Sequence, residues 1–336
     1  RPSIETQVLN EYKEKADATA ISVFVTNLKQ LLLTAPLGQK TTLALDPGFR
    51  SGCKLVVLSQ NGDLIYSTNI YPHPPQNKTD AAAETIVNLC QKYRVQAIAI
   101  GNGTAGRETE RFVKALAISS DIYLVNEDGA SIYSASTVAR EECPDHDVTV
   151  RGAVSIGRRL LDPLAELVKI DAKSIGVGQY QHDVNQSKLK DALDNTVVSC
   201  VNQVGVYLNT ASKHLLAYVS GLGPVAAANI VDYREANGNF RSRSEIMKVP
   251  RIGAKAYKQA AGFLRIKSEQ KPLENTGVHP EAYHMVTKMA KSIKRSIPDL
   301  LSSPSLLDSI KLQDLTTAQF GMPTLLDIVK ELKKPG

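Results

Sequence analysis

The sequence predicts an α/β domain built on a mixed sheet, followed by an all-α region. Three observations carry this prediction. Three strand-like runs come first, after which strands alternate with helices as far as about residue 172. Two helix–turn–helix patterns with glycine-containing turns occupy residues 205–267. Residues 268–336 hold short helices separated by prolines, which predicts a helical C-terminal segment.

The first element expected is a helix over residues 1–34, where apolar residues recur at helical spacing. Pro36 and Gly38 follow it and predict its end. We therefore expect an N-terminal helical segment over residues 1–40.

The next elements are strands near residues 42–46, 53–59 and 63–71. Asn61-Gly62, between the second and third, is the strongest short signal for a hairpin. A helix capped by Thr79 is expected to follow, and Pro163 is expected to interrupt the last helix of this region. The order βββαβαβα predicts one layered domain over residues 41–172, joined to the helical region by a connecting loop, 173–186.

The composition limits the cellular compartments and the kinds of partner that we expect for this chain. The four cysteines lie far apart and show neither metal-binding nor disulfide-scaffold spacing, so we expect a reducing, intracellular location, nuclear or cytoplasmic being undecidable from sequence. No apolar run approaches the 18 residues of a membrane span, so no membrane partner is expected. Trp is absent and aromatic residues make up 5%, which argues against a wide base-stacking platform.

An acid, Asp46, ends the first strand, and this together with the strand order is the pattern of the ribonuclease H-like superfamily. In that arrangement the first and fourth strands are neighbours, so their ends share one edge of the sheet. A nuclease of this type needs several carboxylates there to bridge two divalent metal ions. The sequence must therefore supply further acids at the same edge.

The expected set of acids is incomplete. Glu127 and Asp128 follow the fifth strand, but Gly101 or Asn102 stands where the fourth strand should supply an acid. The helix that should bring the last acid offers Val150 and Arg151. We expect no catalytic residues and no cofactor, with Asp46, Glu127 and Asp128 as remnants of a degenerate site. Asp46 alone could equally be a turn-forming residue that binds nearby backbone N–H groups.

Several long motifs resemble the Tex family of transcription accessory proteins. They are LALDPGFRSGCKLVVLS, AIAIGNGTAGRETE, EDGASIYSAS, RGAVSIGRRLLDPLAELVKIDAKSIGVGQYQHDVNQ and FRSRSEIMKVPRIGAKAYKQAAGFLRI. The resemblance implies a YqgF-type ribonuclease H-like domain, helix-hairpin-helix domains and an OB-type RNA-binding domain. It further implies the animal branch of the family, with an S-one RNA-binding domain expected to begin beyond the last residue here.

The basic charge is concentrated in one part of the chain. Residues 205–267 carry 10 Lys and Arg against 3 Asp and Glu, a net of +7, whereas residues 41–175 carry 14 against 16. A basic excess confined to about sixty residues indicates a module that binds a polyanion.

The same basic region carries the helix-hairpin-helix pattern twice, and we expect a tandem domain over residues 187–267. Gly221 and Gly223 form the first turn, and Arg251 and Gly253 occupy the matching positions of the second. Such glycines let the backbone approach a phosphate closely. The expected nucleic-acid-binding residues are Gly221, Gly223, Arg234, Arg241, Arg243, Lys248, Arg251, Gly253, Lys255 and Lys258.

Two function classes remain open at this point. The first is a non-enzymatic scaffold in transcription or RNA metabolism that binds the backbone of RNA or DNA, without sequence preference, beside the transcription machinery. The second is a metal-dependent nuclease that uses Asp46 and Glu127, in which case Mg²⁺ would be required. No small-molecule substrate is expected, because Ile100 stands where an ATP-binding phosphate loop would need a second Asp. The acid inventory leans away from an enzyme.

Overall fold

The computed structural model describes residues 2–334. The chain divides into two compact units, Arg1–Val197 and Val198–Gly336. The first unit opens with the helix α1 (Pro2–Leu32), as expected within the described residues. Its second half buries one face through Ile21, Phe24, Leu28 and Leu32.

The first unit is built on a five-stranded mixed sheet in the order β3-β2-β1-β4-β5. The first three strands form an antiparallel meander, and β4 and β5 run parallel to β1, as the sequence predicted. The Asn-Gly hairpin is confirmed, with Gly62 at a φ of +84°. The strands are β1 (Thr42–Asp46), β2 (Cys53–Leu58), β3 (Leu64–Ile70), β4 (Ala97–Gly101) and β5 (Asp121–Val125).

Helices pack on both faces of this sheet. The predicted break at Pro163 is confirmed, because one helix ends at Leu161 and the next begins at Pro163. Thr79 does not cap its helix: Lys78 holds the capping position, and the Thr79 hydroxyl donates to the Pro72 carbonyl. The helices are α2 (Thr79–Tyr93), α3 (Gly106–Lys114), α4 (Ala130–Ala135), α5 (Thr137–Glu142), α6 (Val148–Leu161) and α7 (Pro163–Leu167).

The alternation of side chains along β1 decides what faces α6. Leu43 and Leu45 lie in the core shared with α2 and α3, whereas Ala44 lies in the core shared with α6. Asp46 has the same parity as Ala44. A Cβ placed on Gly157 would lie 2.9 Å from the Ala44 Cβ, so α6 lies directly on the sheet. The first turns of α6 are thereby brought to the edge where Asp46 ends β1.

The loop at 173–186 is held by its own side chains. The Gln181 amide accepts from the Val177 N–H and donates to the Lys173 carbonyl. Gln186 donates to three carbonyls of the same loop, and Asn27 of α1 donates to the Val177 carbonyl. These bonds satisfy backbone groups that irregular structure would otherwise leave unpaired. The helix α8 (Gln186–Val204) follows.

The second unit begins with a helical pair of hairpins and ends with further short helices. Two short parallel strands, which the sequence did not predict, tie its beginning to residue 265. A core of apolar residues that includes Met285, Met289, Leu300, Leu325 and Leu332 holds its C-terminal part. The elements are β6 (Val206–Tyr207), α9 (Lys213–Leu216), α10 (Pro224–Asn237), α11 (Ala254–Ala260), β7 (Leu264–Arg265), α12 (Tyr283–Ser292), α13 (Ile297–Ser302) and α14 (Met322–Lys333).

Across residues 2–334, no helix combines the length and apolar character that a membrane span requires.

Candidate nucleic-acid interface

Asp46 and Glu127 lie at the same edge of the sheet, as the strand order predicted. Asp46 is the last residue of β1, and Glu127 follows the end of β5 by two residues. Burial and, to a smaller extent, the Glu127 charge raise the pKa of Asp46 to about 6, against the opposing charge of Lys54. The Asp46 carboxyl is therefore partly protonated near neutral pH.

The Glu127 carboxylate fills a space that two glycines leave open. A Cβ on Gly101 or on Gly103 would overlap its oxygens. The Gly103 N–H donates to this carboxylate, yet burial still raises the pKa of Glu127. Its Oε2 is buried and has no hydrogen-bond partner within the described part of the chain. The Glu127 carboxylate thus fills the space beside Gly101 and Gly103 at this edge of the sheet.

The neighbouring polar residues serve the backbone. The Asn102 side-chain oxygen accepts from the Glu127 N–H at 3.2 Å. The Asp128 carboxylate accepts from the Asn126 side-chain amide at 3.1 Å, and a Cβ on Gly176 would lie 2.7 Å from it. Neither side chain adds a carboxylate between Asp46 and Glu127.

The helix residue that faces Asp46 differs from the one expected. A Cβ on Gly152 would lie 3.2 Å from the Asp46 Oδ2, so Gly152 is the position of α6 that approaches this carboxylate. Arg151 is buried and donates from Nε to the Cys143 carbonyl, with the Pro144 carbonyl also in reach. The helix turn therefore presents a glycine to Asp46, and the guanidinium of Arg151 is used elsewhere. Among residues 2–334, no three His, Cys, Asp or Glu side chains are grouped to hold a metal ion.

The two hairpin turns have matching backbone conformations. Gly221 adopts a φ of +86° and Arg251 a φ of +68°, so the left-handed position of the first turn is reproduced by an arginine in the second. In the first turn the Leu222 N–H donates to the Val219 carbonyl, and in the second the Ile252 N–H donates to the Val249 carbonyl. The two segments are thus equivalent hairpins although only one has both glycines.

The third position of each turn faces open space. Gly223 and Gly253 have extended backbones and immediately precede α10 and α11. A Cβ on either would meet no atom of the described residues, 2–334, within 4 Å. A Cβ on Gly221, by contrast, would lie 2.5 Å from the Gln259 Cβ of α11. Gly221 is therefore required for packing, and Gly223 and Gly253 are available to a ligand.

Arg243 does not belong to the surface, although the sequence placed it among the phosphate contacts. It is fully buried, and its Nε lies 3.2 Å from the Glu274 carboxylate. Its guanidinium also donates to the Tyr283 hydroxyl and to the backbone carbonyls of Ala261, Leu264, Leu273, Thr276 and Val278. This side chain joins the hairpin segment to the C-terminal segment.

Arg234 is also engaged inside the fold. Its Nη1 donates to the Leu208 carbonyl at 3.1 Å and to the Ala211 carbonyl at 2.7 Å. These two bonds hold the C-terminal part of α10 against the loop after β6. The prediction of Arg234 as a phosphate ligand is therefore not supported by its geometry.

The remaining predicted cations lie at the surface and differ in their pairing. Arg251 and Lys255 are exposed, and no ion pair is found for either among residues 2–334. Lys248 pairs with Glu245 at 3.3 Å and Lys258 with Glu281 at 3.2 Å. Arg241 is exposed, and its backbone N–H donates to Glu245. The open cations therefore cluster beside the second turn.

Sequence reasoning missed two residues of this region. Gly152 was missed because the register of α6 against the sheet had to be known to within one residue. Glu281 was missed because it lies in the C-terminal segment, for which the sequence predicts short helices and no binding residues. The sequence "VHPEAYH" that contains Glu281 carries no binding signal of its own.

Family models match the chain in three places. The Tex protein YqgF-like domain matches residues 40–161, a helix-hairpin-helix motif matches residues 201–265, and an HHH domain matches residues 271–336. The first two agree with the sequence prediction. The third shows that the C-terminal segment is a further HHH domain, which the sequence reasoning had not recognised.

Relatives in bacteria and animals match the chain closely. Transcriptional accessory protein Tex of Neisseria gonorrhoeae is 52% identical, and Protein YhgF of Escherichia coli is 50% identical, each over 99% of this chain. S1 RNA-binding domain-containing protein 1 of Homo sapiens is 43% identical over 76% of this chain and 26% of its own length. The chain spans 44% of the length of the two bacterial relatives. With its YqgF-like domain, its two HHH domains and these identities, the chain belongs to the Tex family.

Proposed function

We propose that this chain is a nucleic-acid-binding core that holds the phosphate backbone through its hairpin turns, without sequence preference. The observation that carries the proposal is the pair of equivalent turns whose third residues, Gly223 and Gly253, face open space beside the exposed cations Arg251 and Lys255. An open glycine lets a phosphate reach the backbone N–H groups, and the cations add charge.

The two turns contribute different interactions to this proposed site. The helix α10 has 14 residues and no basic residue in its first turn, so the first hairpin offers backbone N–H groups alone. The second hairpin adds the side chains of Arg251 and Lys255. Contacts of both kinds are made to phosphates and carry no base information, which supports binding without sequence preference.

Binding titrations test this proposal directly. RNA and DNA of matched sequence, each single- and double-stranded, are titrated with the chain at several salt concentrations, followed by fluorescence anisotropy. We expect affinity to fall linearly in log–log form with salt and to be the same for scrambled sequences. A salt-independent affinity, or a strong preference for one sequence, would contradict the proposal.

A role in transcription follows as part of the same proposal. The relative in Neisseria gonorrhoeae is described as a transcriptional accessory protein, and its sequence is 52% identical to this chain. We expect the chain to associate with reconstituted transcription complexes through their nucleic acid. Pull-down before and after nuclease digestion measures this, and an association that survives complete digestion would indicate a protein partner instead.

We also propose that the sheet edge does not act as a two-metal nuclease. Two divalent ions about 4 Å apart need several bridging carboxylates. Among residues 2–334, Asp46 and Glu127 bring carboxylates to the strand ends, whereas Asn102 and Gly152 stand where further acids would be needed. The donor set therefore does not fit two Mg²⁺ or Mn²⁺ ions. Nuclease activity that requires divalent metal and is abolished by Asp46→Asn would overturn this view and favour the alternative.

A further inference from the structure

Lys258 is an exposed basic side chain near the second turn that is already bound to the neighbouring HHH domain. Lys255 and Lys258 are three residues apart on α11, so they share a face of the helix. The Lys258 Nζ lies 3.2 Å from the Glu281 Oε1, and both side chains are more than half exposed. The ion pair therefore stands at the surface where a phosphate would approach.

His279 fixes the position of this glutamate. Its Nε2 lies 3.0 Å from the Lys258 carbonyl, and its Nδ1 accepts from the Glu281 N–H at 3.2 Å. A carbonyl can only accept, so the ring proton sits on Nε2 and donates to Lys258. The same imidazole thus holds the backbone of Lys258 and the backbone of Glu281. Their side chains meet because their main chains are tied together.

The surroundings of Glu281 add negative charge. Glu281, Asp327 and Glu331 line one cavity of about 340 Å³ together with His279. The Glu331 carboxylate accepts from the Gly277 N–H, which keeps it at this place. An incoming phosphate would meet this negative potential as well as the Lys258 ammonium.

We propose that Glu281 is an internal competitor for the phosphate at Lys258, and that it sets the affinity and the ligand choice of the second hairpin. The inference rests on the proposed function above. A carboxylate and a phosphate cannot share one exposed ammonium without mutual repulsion. A ligand displaces Glu281 only if other phosphates are held by Arg251 and Lys255 at the same time. The site therefore favours a nucleic-acid chain over inorganic phosphate or a mononucleotide.

The decisive variant is Glu281→Gln, which keeps the shape of the side chain and removes its charge. We expect binding to single-stranded RNA to tighten by about two- to five-fold at low salt, the range of an exposed ion pair. The matched control is Asp314→Asn, which removes an exposed carboxylate from the same domain. We expect no change in affinity for that control. Thermal melts check that both variants fold like the parent.

A double-mutant cycle separates competition from general electrostatics. In a Lys258→Gln background, Glu281→Gln should tighten binding clearly less than in the parent, because the contested ammonium is gone and only the repulsion between Glu281 and the phosphate remains. Inhibition by inorganic phosphate of RNA binding should also be stronger in Glu281→Gln than in the parent chain. Equal tightening in both backgrounds, or in the Asp314→Asn control, would show a long-range charge effect and overturn the inference.

The outcomes also distinguish this inference from the proposed function. A parent chain that shows no salt-dependent binding to RNA or DNA overturns the proposed function and this inference together. A parent chain that binds and is weakened by Lys255→Gln, but is not tightened by Glu281→Gln, overturns the inference alone. Tightening by Glu281→Gln that is clearly smaller in the Lys258→Gln background supports both.

Discussion

Glycines line both the sheet edge and the hairpin turns, but the two regions use them in opposite ways. At the sheet edge the space above Gly101 and Gly103 is filled by the Glu127 carboxylate of the same chain. At the turns the space above Gly223 and Gly253 is open. A glycine therefore indicates that some group approaches the backbone closely, but it does not identify that group. The first approach is made by the protein itself, and we propose that the second is made by a phosphate of a ligand.

The cations of the hairpin region are not one set, and the largest expected effect follows from this difference. Arg243 is buried and paired with Glu274, so Arg243→Met should lower the free energy of unfolding by about 3–5 kcal/mol, since it leaves a buried carboxylate uncompensated. Lys255→Gln makes the same change of charge at an exposed position and should leave stability unchanged. Chemical denaturation measures both. An Arg243→Met chain with the same stability as the parent would contradict the buried position of Arg243 and would favour a position at the surface.

The two glycines of the first turn provide the next test. Gly221→Val should destabilise the chain by about 2–4 kcal/mol, because the left-handed backbone and the contact with Gln259 both exclude a side chain. Gly223→Val should cost about 1 kcal/mol or less, since its backbone is extended and its surroundings are open. Its effect should instead be a loss of nucleic-acid affinity. Denaturation and anisotropy on the same pair of variants measure this, and equal stabilities would contradict it.

At the sheet edge the comparison predicts a pH effect. The folded pKa of Asp46, about 6, lies above its ordinary value of 3.8, so the folded state binds the proton more tightly and stability falls as pH rises between these values. Asp46→Asn mimics the protonated form. It should stabilise the chain by up to about 3 kcal/mol at pH 7.5 and have little effect at pH 3.5. Melts across this range measure it, and destabilisation at pH 7.5 would show that the ionised carboxylate has a structural partner.

The smallest expected effect concerns the open cations. Lys255→Gln and Arg251→Gln should each reduce the slope of log affinity against log salt by about 0.7–0.9, because each removes one phosphate contact. Lys248→Gln is the matched control, as Lys248 is already paired with Glu245. An equal reduction for all three would show that the surface acts through net charge and that the turn has no special place in it.

Much of the fold followed from the sequence because its signals are local. Apolar, strand-like runs predicted the strands, Asn61-Gly62 predicted the hairpin, and Pro163 predicted the break between α6 and α7. The prediction that Thr79 caps its helix was wrong, and the two short strands β6 and β7 were missed. A single capping side chain competes with tertiary contacts, and two-residue strands carry no periodicity.

The site was less predictable because the sequence shows that a side chain is basic but does not show whether it points into the core or to the surface. Arg243 and Arg251 both lie in a basic stretch, and only the packed structure shows that one enters the core and the other stays at the surface. A one-residue error in helix phase likewise placed Arg151, instead of Gly152, against Asp46. Both errors arise because residues that are close in the sequence point to different environments in the folded chain.

The left-handed backbone conformation of Arg251 in the second turn sets stability against ligand binding at one position. Arg251 adopts a φ of +68°, a conformation that costs a residue with a side chain roughly 1–2 kcal/mol relative to glycine. Arg251→Gly would relieve this strain and recreate the turn of the first hairpin, and it would also delete a cation from the ligand face. Directed evolution for heat resistance should therefore select glycine at position 251 and lower the affinity for nucleic acid. Selection for binding should retain arginine.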